Sequence, residues 1–137
     1  MKYLTKTILS DKAVSTVFAS GIEAYLVGGY IRDIIRGERS NDMDFVVKGN
    51  MKTIVPNIFS DIDSSIVEFK DATLIRVIIG DITIDFSELK GNIEDDLCSR
   101  DFAMNAIAWS PDRGIIDPIN RIEDIMKERI RAVSEKN

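Results

Sequence analysis

Residues 26–47 constrain this chain most. They read Leu-Val-Gly-Gly-Tyr-Ile-Arg-Asp-Ile-Ile-Arg-Gly-Glu-Arg-Ser-Asn-Asp-Met-Asp-Phe-Val-Val. A short apolar strand over 24–27 runs into Gly28-Gly29. Ile31, Ile34 and Ile35 are spaced for one buried face of a helix over 30–36. Gly37 and the polar run after it end that helix. A second strand then carries Asp42 and Asp44, with Phe45, Val46 and Val47 behind them.

Side chains alternate along a strand, so Asp42 and Asp44 share one face while Met43, Phe45 and Val47 point into a core. Two carboxylates placed this way form a hard-oxygen site suited to Mg²⁺. Such a pair can hold one or two ions against a triphosphate, between attacking and leaving oxygens. Gly28 and Gly29 let the backbone approach a phosphate closely, and the helix that follows offers free N–H groups. Arg32 is placed to add a bidentate phosphate contact. Taken singly, Gly-Gly is a turn, Asp-x-Asp a solvated strand face and Arg32-Asp33 a surface ion pair. Together they define a metal site and a phosphate site in one stretch.

The chain has 137 residues, enough for one domain with a real core. It contains no histidine, which removes Ser-His and Cys-His catalysis and histidine-ligated zinc. Cys98 is the single cysteine, so no internal disulfide forms and a reducing cytoplasm is expected. No apolar run reaches the roughly 18 residues of a membrane span, and the first residues lack the apolar core of a secretion signal. A net charge of −5 argues against a nonspecific nucleic-acid binder but allows a local basic patch.

Elsewhere the pattern predicts a helix over 9–19, capped by Ser10 or Asp11 and stopped by Gly21, with Val14, Val17 and Phe18 inward. The first strand is expected over 22–27. Asn50 is expected to cap a helix over 51–60 that Pro56 kinks or breaks. Strands are expected over 64–69, 74–79 and 82–86, joined by hairpins, the middle one reading as a central strand. Asp85 alternates with Ile82 and Ile84 and is read either as a third carboxylate beside Asp42 and Asp44 or as a solvated strand end; residues 87–91 are read as a linker. In 93–108, early acids suit a helix's first turn, and Arg100 and Asn105 are placed to reach a phosphate and a ribose hydroxyl. Trp109 is read as core packing, with base stacking the alternative. A strand end and turn follow over 109–118, then a short helix over 122–128 and a strand-like run over 129–133.

The pattern Gly28-Gly29-x-x-Arg32-Asp33, then Gly37, then Asp42-x-Asp44 resembles the active-site signature of the class II tRNA nucleotidyltransferase and bacterial poly(A) polymerase family. A second family motif, Asp-Leu-x-Arg-Arg-Asp-Phe-Thr-x-Asn-Ala, is matched by Asp96, Leu97, Arg100, Asp101, Phe102, Asn105 and Ala106. Ser99 stands for the first of its paired arginines and Ala103 for its threonine. The resemblance covers about 24–133, closing Asp117-Pro118, a short helix and Ile130-Arg131-Ala132-Val133. It implies an α/β fold, a mixed, mostly antiparallel sheet flanked by helices, of the DNA-polymerase-β-like nucleotidyltransferase type. It also implies a single head domain over 1–137, without the helical neck, body and tail in which the family reads the base and holds tRNA. An excised head is the expectation, a natural head-only protein with a partner chain the alternative.

The activity implied is transfer of AMP or CMP from ATP or CTP to an RNA 3′ end, that of tRNA in this family, with release of pyrophosphate. Asp42 and Asp44 would hold Mg²⁺, with Asp85 the third catalytic carboxylate. Gly28, Gly29 and Arg32 would cradle the triphosphate, Asp33 would orient Arg32 or cap the local structure, and Arg100, Asp101 and Asn105 would set sugar and phosphates. The competing readings are a non-catalytic nucleotide-binding or regulatory module of the same fold, and a small nucleotidyltransferase acting on a substrate other than tRNA.

Overall fold

A computed structural model describes residues 11–69, 71, 73–99 and 107–135. Its helices are α1 (Lys12–Ala19), α2 (Gly29–Ile35), α3 (Met51–Ile58), α4 (Ile93–Cys98) and α5 (Arg121–Glu135). Its strands are β1 (Ala24–Val27), β2 (Asp42–Val47), β3 (Ser65–Phe69), β4 (Leu74–Ile79), β5 (Ile82–Glu88), β6 (Ala108–Ser110) and β7 (Gly114–Ile116). Among the described residues the strands form one seven-stranded sheet in the order β3-β4-β5-β2-β1-β6-β7. Only β2 and β5 pair in parallel; the other neighbours are antiparallel, so the sheet is mixed and mostly antiparallel as expected.

Local chemistry sets the helix ends. The Asp11 carboxylate accepts from the Ala13 N–H at 3.0 Å and caps α1. The α2 helix closes with Gly37 at φ 82°, where the Gly37 N–H reaches the Ile34 carbonyl and the Glu38 N–H reaches Asp33. This paired closure needs a left-handed residue, which glycine supplies without a Cβ penalty. Asn50 caps α3 through Lys52 N–H at 3.1 Å. Pro56 neither breaks nor ends α3: it sits in the last turn, where its missing N–H forfeits a single bond.

One face of the sheet carries the main core. Leu26, Met43, Phe45, Val47, Ile75, Val77, Ile84, Phe86 and Trp109 pack there with Val14, Val17, Ile31 and Val55 from the helices. Phe45 and Phe86 stack with centroids 5.5 Å apart and planes at 16°, while Phe59 meets Phe86 edge-on at 5.9 Å. Each such side chain contributes about 1.5–3 kcal/mol by leaving water. Trp109 is buried against Phe18, ring centroids 5.3 Å apart, which settles it as core and removes the base-stacking alternative. On the opposite face α4 places Ile93 and Leu97 over Tyr25, Val27, Val46 and Ile116.

Three expected elements differ. Residues 129–133 are not a strand; they continue α5, which runs unbroken from Arg121. The Asp117 carboxylate starts that helix by accepting from the Arg121 and Ile122 N–H groups at 2.7 and 2.9 Å, and no glycine or proline interrupts the turns that follow. Ser87 and Glu88 are not linker: they extend β5 alongside Val46 and Val47. The continuous apolar run of β4 is not buried on both faces. Ile75 and Val77 face the core, whereas Ile78 is exposed on the opposite face, because the helix α4 packs there over β1, β2 and β7 and not over β4.

Candidate active site

The acidic pair lies where α4 stops covering the sheet. Val46 is buried under α4, but Asp42 and Asp44, on the same face of β2, are exposed. Their partners on β5 are Thr83 and Asp85, because β2 and β5 run parallel in register. Asp42, Asp44, Thr83 and Asp85, with Arg76 and Met43, line a depression of about 340 Å³. Val27 pairs with Asp44, so the Gly28-Gly29 turn leaves β1 directly beside the acids. Gly28 has φ 76° and ψ −141°, a conformation that only glycine adopts without strain.

Arg32 folds back toward this turn. A Cβ built on Gly29 would come within 3.0 Å of an Arg32 terminal nitrogen, so the absence of a side chain makes room for the guanidinium. The Arg32 Nε lies 3.4 Å from the Asp33 carboxylate, the neighbour expected to orient it. Arg100, Asp101 and Asn105 lie outside the described residues.

One residue at this site was not singled out from the sequence. Arg76 donates through Nε and Nη2 to both oxygens of Asp85, at 2.8 and 3.0 Å. That hydrogen-bonded pair, with the nearby Asp42 and Asp44 charges, raises the Arg76 pKa above its ordinary value. The Phe69 ring lies 5.3 Å beneath its guanidinium. The signal was present in the hairpin: Gly80-Asp81 pairs Ile79 with Ile82, and counting three residues back along each strand pairs Arg76 with Asp85. An arginine inside an apolar strand calls for such a partner.

Asp42 and Asp44 offer hard anionic oxygens on an open surface, a donor set that fits Mg²⁺. Among the described residues no three acidic, cysteine or histidine side chains converge tightly enough to hold a metal as a set. An ion held by this pair alone would keep coordination positions open to other oxygens. No helix among the described residues is long and apolar enough to cross a membrane.

This geometry has counterparts. The Poly A polymerase head domain matches the chain in two overlapping segments, 24–92 and 85–131. The CC-adding tRNA nucleotidyltransferase of Halalkalibacterium halodurans is 37% identical over 123 residues, covering 87% of this chain and 31% of that protein. The A-adding tRNA nucleotidyltransferase of Deinococcus radiodurans is 35% identical over 120 residues, covering 83% and 26%. A solved CCA-adding enzyme in complex with CTP superimposes with a TM-score of 0.77 at 23% identity, over 92% of this chain and 35% of that one, a likeness of fold. The chain belongs to the Poly A polymerase head domain family. It spans between about a quarter and a third of the length of these two curated relatives.

Proposed function

We propose that this chain is the catalytic head of a template-independent RNA nucleotidyltransferase. It transfers AMP or CMP from ATP or CTP to an RNA 3′-hydroxyl, that of tRNA, and releases pyrophosphate. The observation that carries this reading is the exposed Asp42–Asp44 pair set beside the Gly28-Gly29 turn. Relatives whose names describe CC and A addition to tRNA support the reaction class.

In this reading Asp42 and Asp44 hold Mg²⁺, which supplies charge for the attacking hydroxyl and the leaving pyrophosphate. Asp85 adds a third negative charge from the neighbouring strand. Gly28 and Gly29 let backbone N–H groups approach the triphosphate, and Arg32 binds a phosphate oxygen with Asp33 orienting it. Arg100, Asp101 and Asn105 hold sugar and phosphates. The chain works as a single head domain, with base choice and tRNA grip supplied by regions like those that make up the rest of its relatives. A cytoplasmic setting belongs to the same reading and is supported by the free thiol of Cys98.

The test is incorporation of labelled CMP or AMP into tRNA lacking its 3′ end, with Mg²⁺, by this chain alone and joined to the downstream regions of a relative. Metal-dependent incorporation by the joined protein, lost in Asp42→Asn/Asp44→Asn, is expected. Failure of the joined protein to transfer either nucleotide, while the relative's own head does so in the same context, refutes the assignment.

A further inference from the structure

Arg76 bears on how many carboxylates can reach a metal at this site. Asp44, Asp85, Arg76 and Val67 form one row across β2, β5, β4 and β3 on the open face of the sheet. Asp85 therefore has an acid on one side and a cation on the other. The cation has it by both oxygens, in the paired fork that arginine forms best with a carboxylate. The guanidinium is itself held, resting over Phe69 at 5.3 Å with its own strand anchored by Ile75 and Val77 in the core.

We propose that Arg76 is a positioning residue that keeps Asp85 out of the metal's inner ligand shell. The ion is then carried by Asp42 and Asp44 and keeps water where a third carboxylate would otherwise bind. This rests on the reading of Asp42 and Asp44 as metal ligands. Asp85 side-chain exposure is 19% and that of Arg76 is 38%, so the carboxylate is the more enclosed partner. The fork occupies one lone pair on each oxygen, so to turn either oxygen fully onto an ion Asp85 would have to weaken or give up a charge-assisted hydrogen bond. The consequence is chemical. An ion with three protein carboxylates binds tightly but offers fewer positions to substrate oxygens. One with two stays open to triphosphate and hydroxyl oxygens. Asp85 then acts through its charge and through Arg76, not as a ligand.

The experiment uses Mn²⁺ in place of Mg²⁺ on the full chain without nucleotide. It measures affinity by calorimetry and the number of inner-shell waters by electron spin echo spectroscopy in deuterated water. Arg76→Met removes the fork while keeping a long stem on the strand, and thermal melting confirms that it folds. Arg76→Met is expected to bind Mn²⁺ about tenfold more tightly, as an added charged ligand does, and to lose one inner-shell water. Arg76→Met/Asp85→Asn is expected to recover the wild-type water count. The water count is decisive, because deleting a positive charge alone tightens binding without changing the shell. An unchanged count in Arg76→Met, with Mn²⁺ still bound through Asp42 and Asp44, overturns the role given to Arg76. Wild-type Mn²⁺ binding that survives Asp42→Asn/Asp44→Asn overturns the metal-site reading, and this proposal with it.

Discussion

Replacing Phe86 by alanine should test how the core supports the acids on the other side of the sheet. Phe86 is fully buried, stacks on Phe45 and meets Phe59 edge-on. It pairs in register with Phe45, one residue beyond the Asp44–Asp85 pair. Truncating a buried phenylalanine removes its transfer free energy and leaves a cavity, together costing about 4 kcal/mol. Two aromatic contacts are lost, and neither Phe45 nor Phe59 can relax far while anchored to β2 and the end of α3. A domain of this size is stable by about 5–15 kcal/mol, so much of its stability is at stake. At about 3 °C per kcal/mol the melting midpoint should fall by about 12 °C. Phe86→Leu refills most of the volume and should lose less than half as much. Urea unfolding followed by circular dichroism gives the free energies, and calorimetry gives the midpoints. A loss below about 1 kcal/mol for Phe86→Ala would mean that the stack does not carry β2 and β5, against the range for buried aromatics.

Gly29→Ala should separate stability from nucleotide binding. Its Cβ meets only the flexible end of Arg32, so the melting midpoint should hold or rise while the affinity for CTP falls severalfold by calorimetry, as Arg32 is displaced. Asp117→Ala removes both acceptors at the start of α5 and should cost about 1–2 kcal/mol in urea unfolding. Tyr30 is buried and donates to Asp11 at 3.1 Å; burial first, and the Asp11 charge second, hold its pKa well above the ordinary value. Its folded pKa is raised, so its contribution is complete below the unfolded value near 10 and is lost as pH rises beyond it. Wild type should therefore lose stability above about pH 10 more steeply than Tyr30→Phe in melts across that range.

Much of the site could be read from the sequence because strand alternation and turn chemistry act locally. Asp42 and Asp44 share a face because they are two residues apart, and Gly37 ends α2 because a left-handed residue is needed there. What was not legible depended on pairing between distant strands. The role of Arg76 appears only once β4 and β5 are registered. The exposure of Ile78 follows from where α4 packs on that face, over β1 and β2 and not over β4, which the apolar run 74–79 does not encode. The helical course of 129–133 is hidden in the sequence because Arg-Ile-Arg-Ala-Val alternates like a strand, whereas the Asp117 cap and the turns behind it carry the helix through.

Whether Asp42 and Asp44 form a metal-dependent nucleotide site is decided by titrating the chain with CTP and with ATP, each with and without Mg²⁺, by calorimetry. Nucleotide binding should require Mg²⁺ and disappear in Asp42→Asn/Asp44→Asn, whose melting midpoint should stay at the wild-type value or above because both side chains are exposed. Binding of equal strength without metal, or retained in the double variant, would contradict such a site.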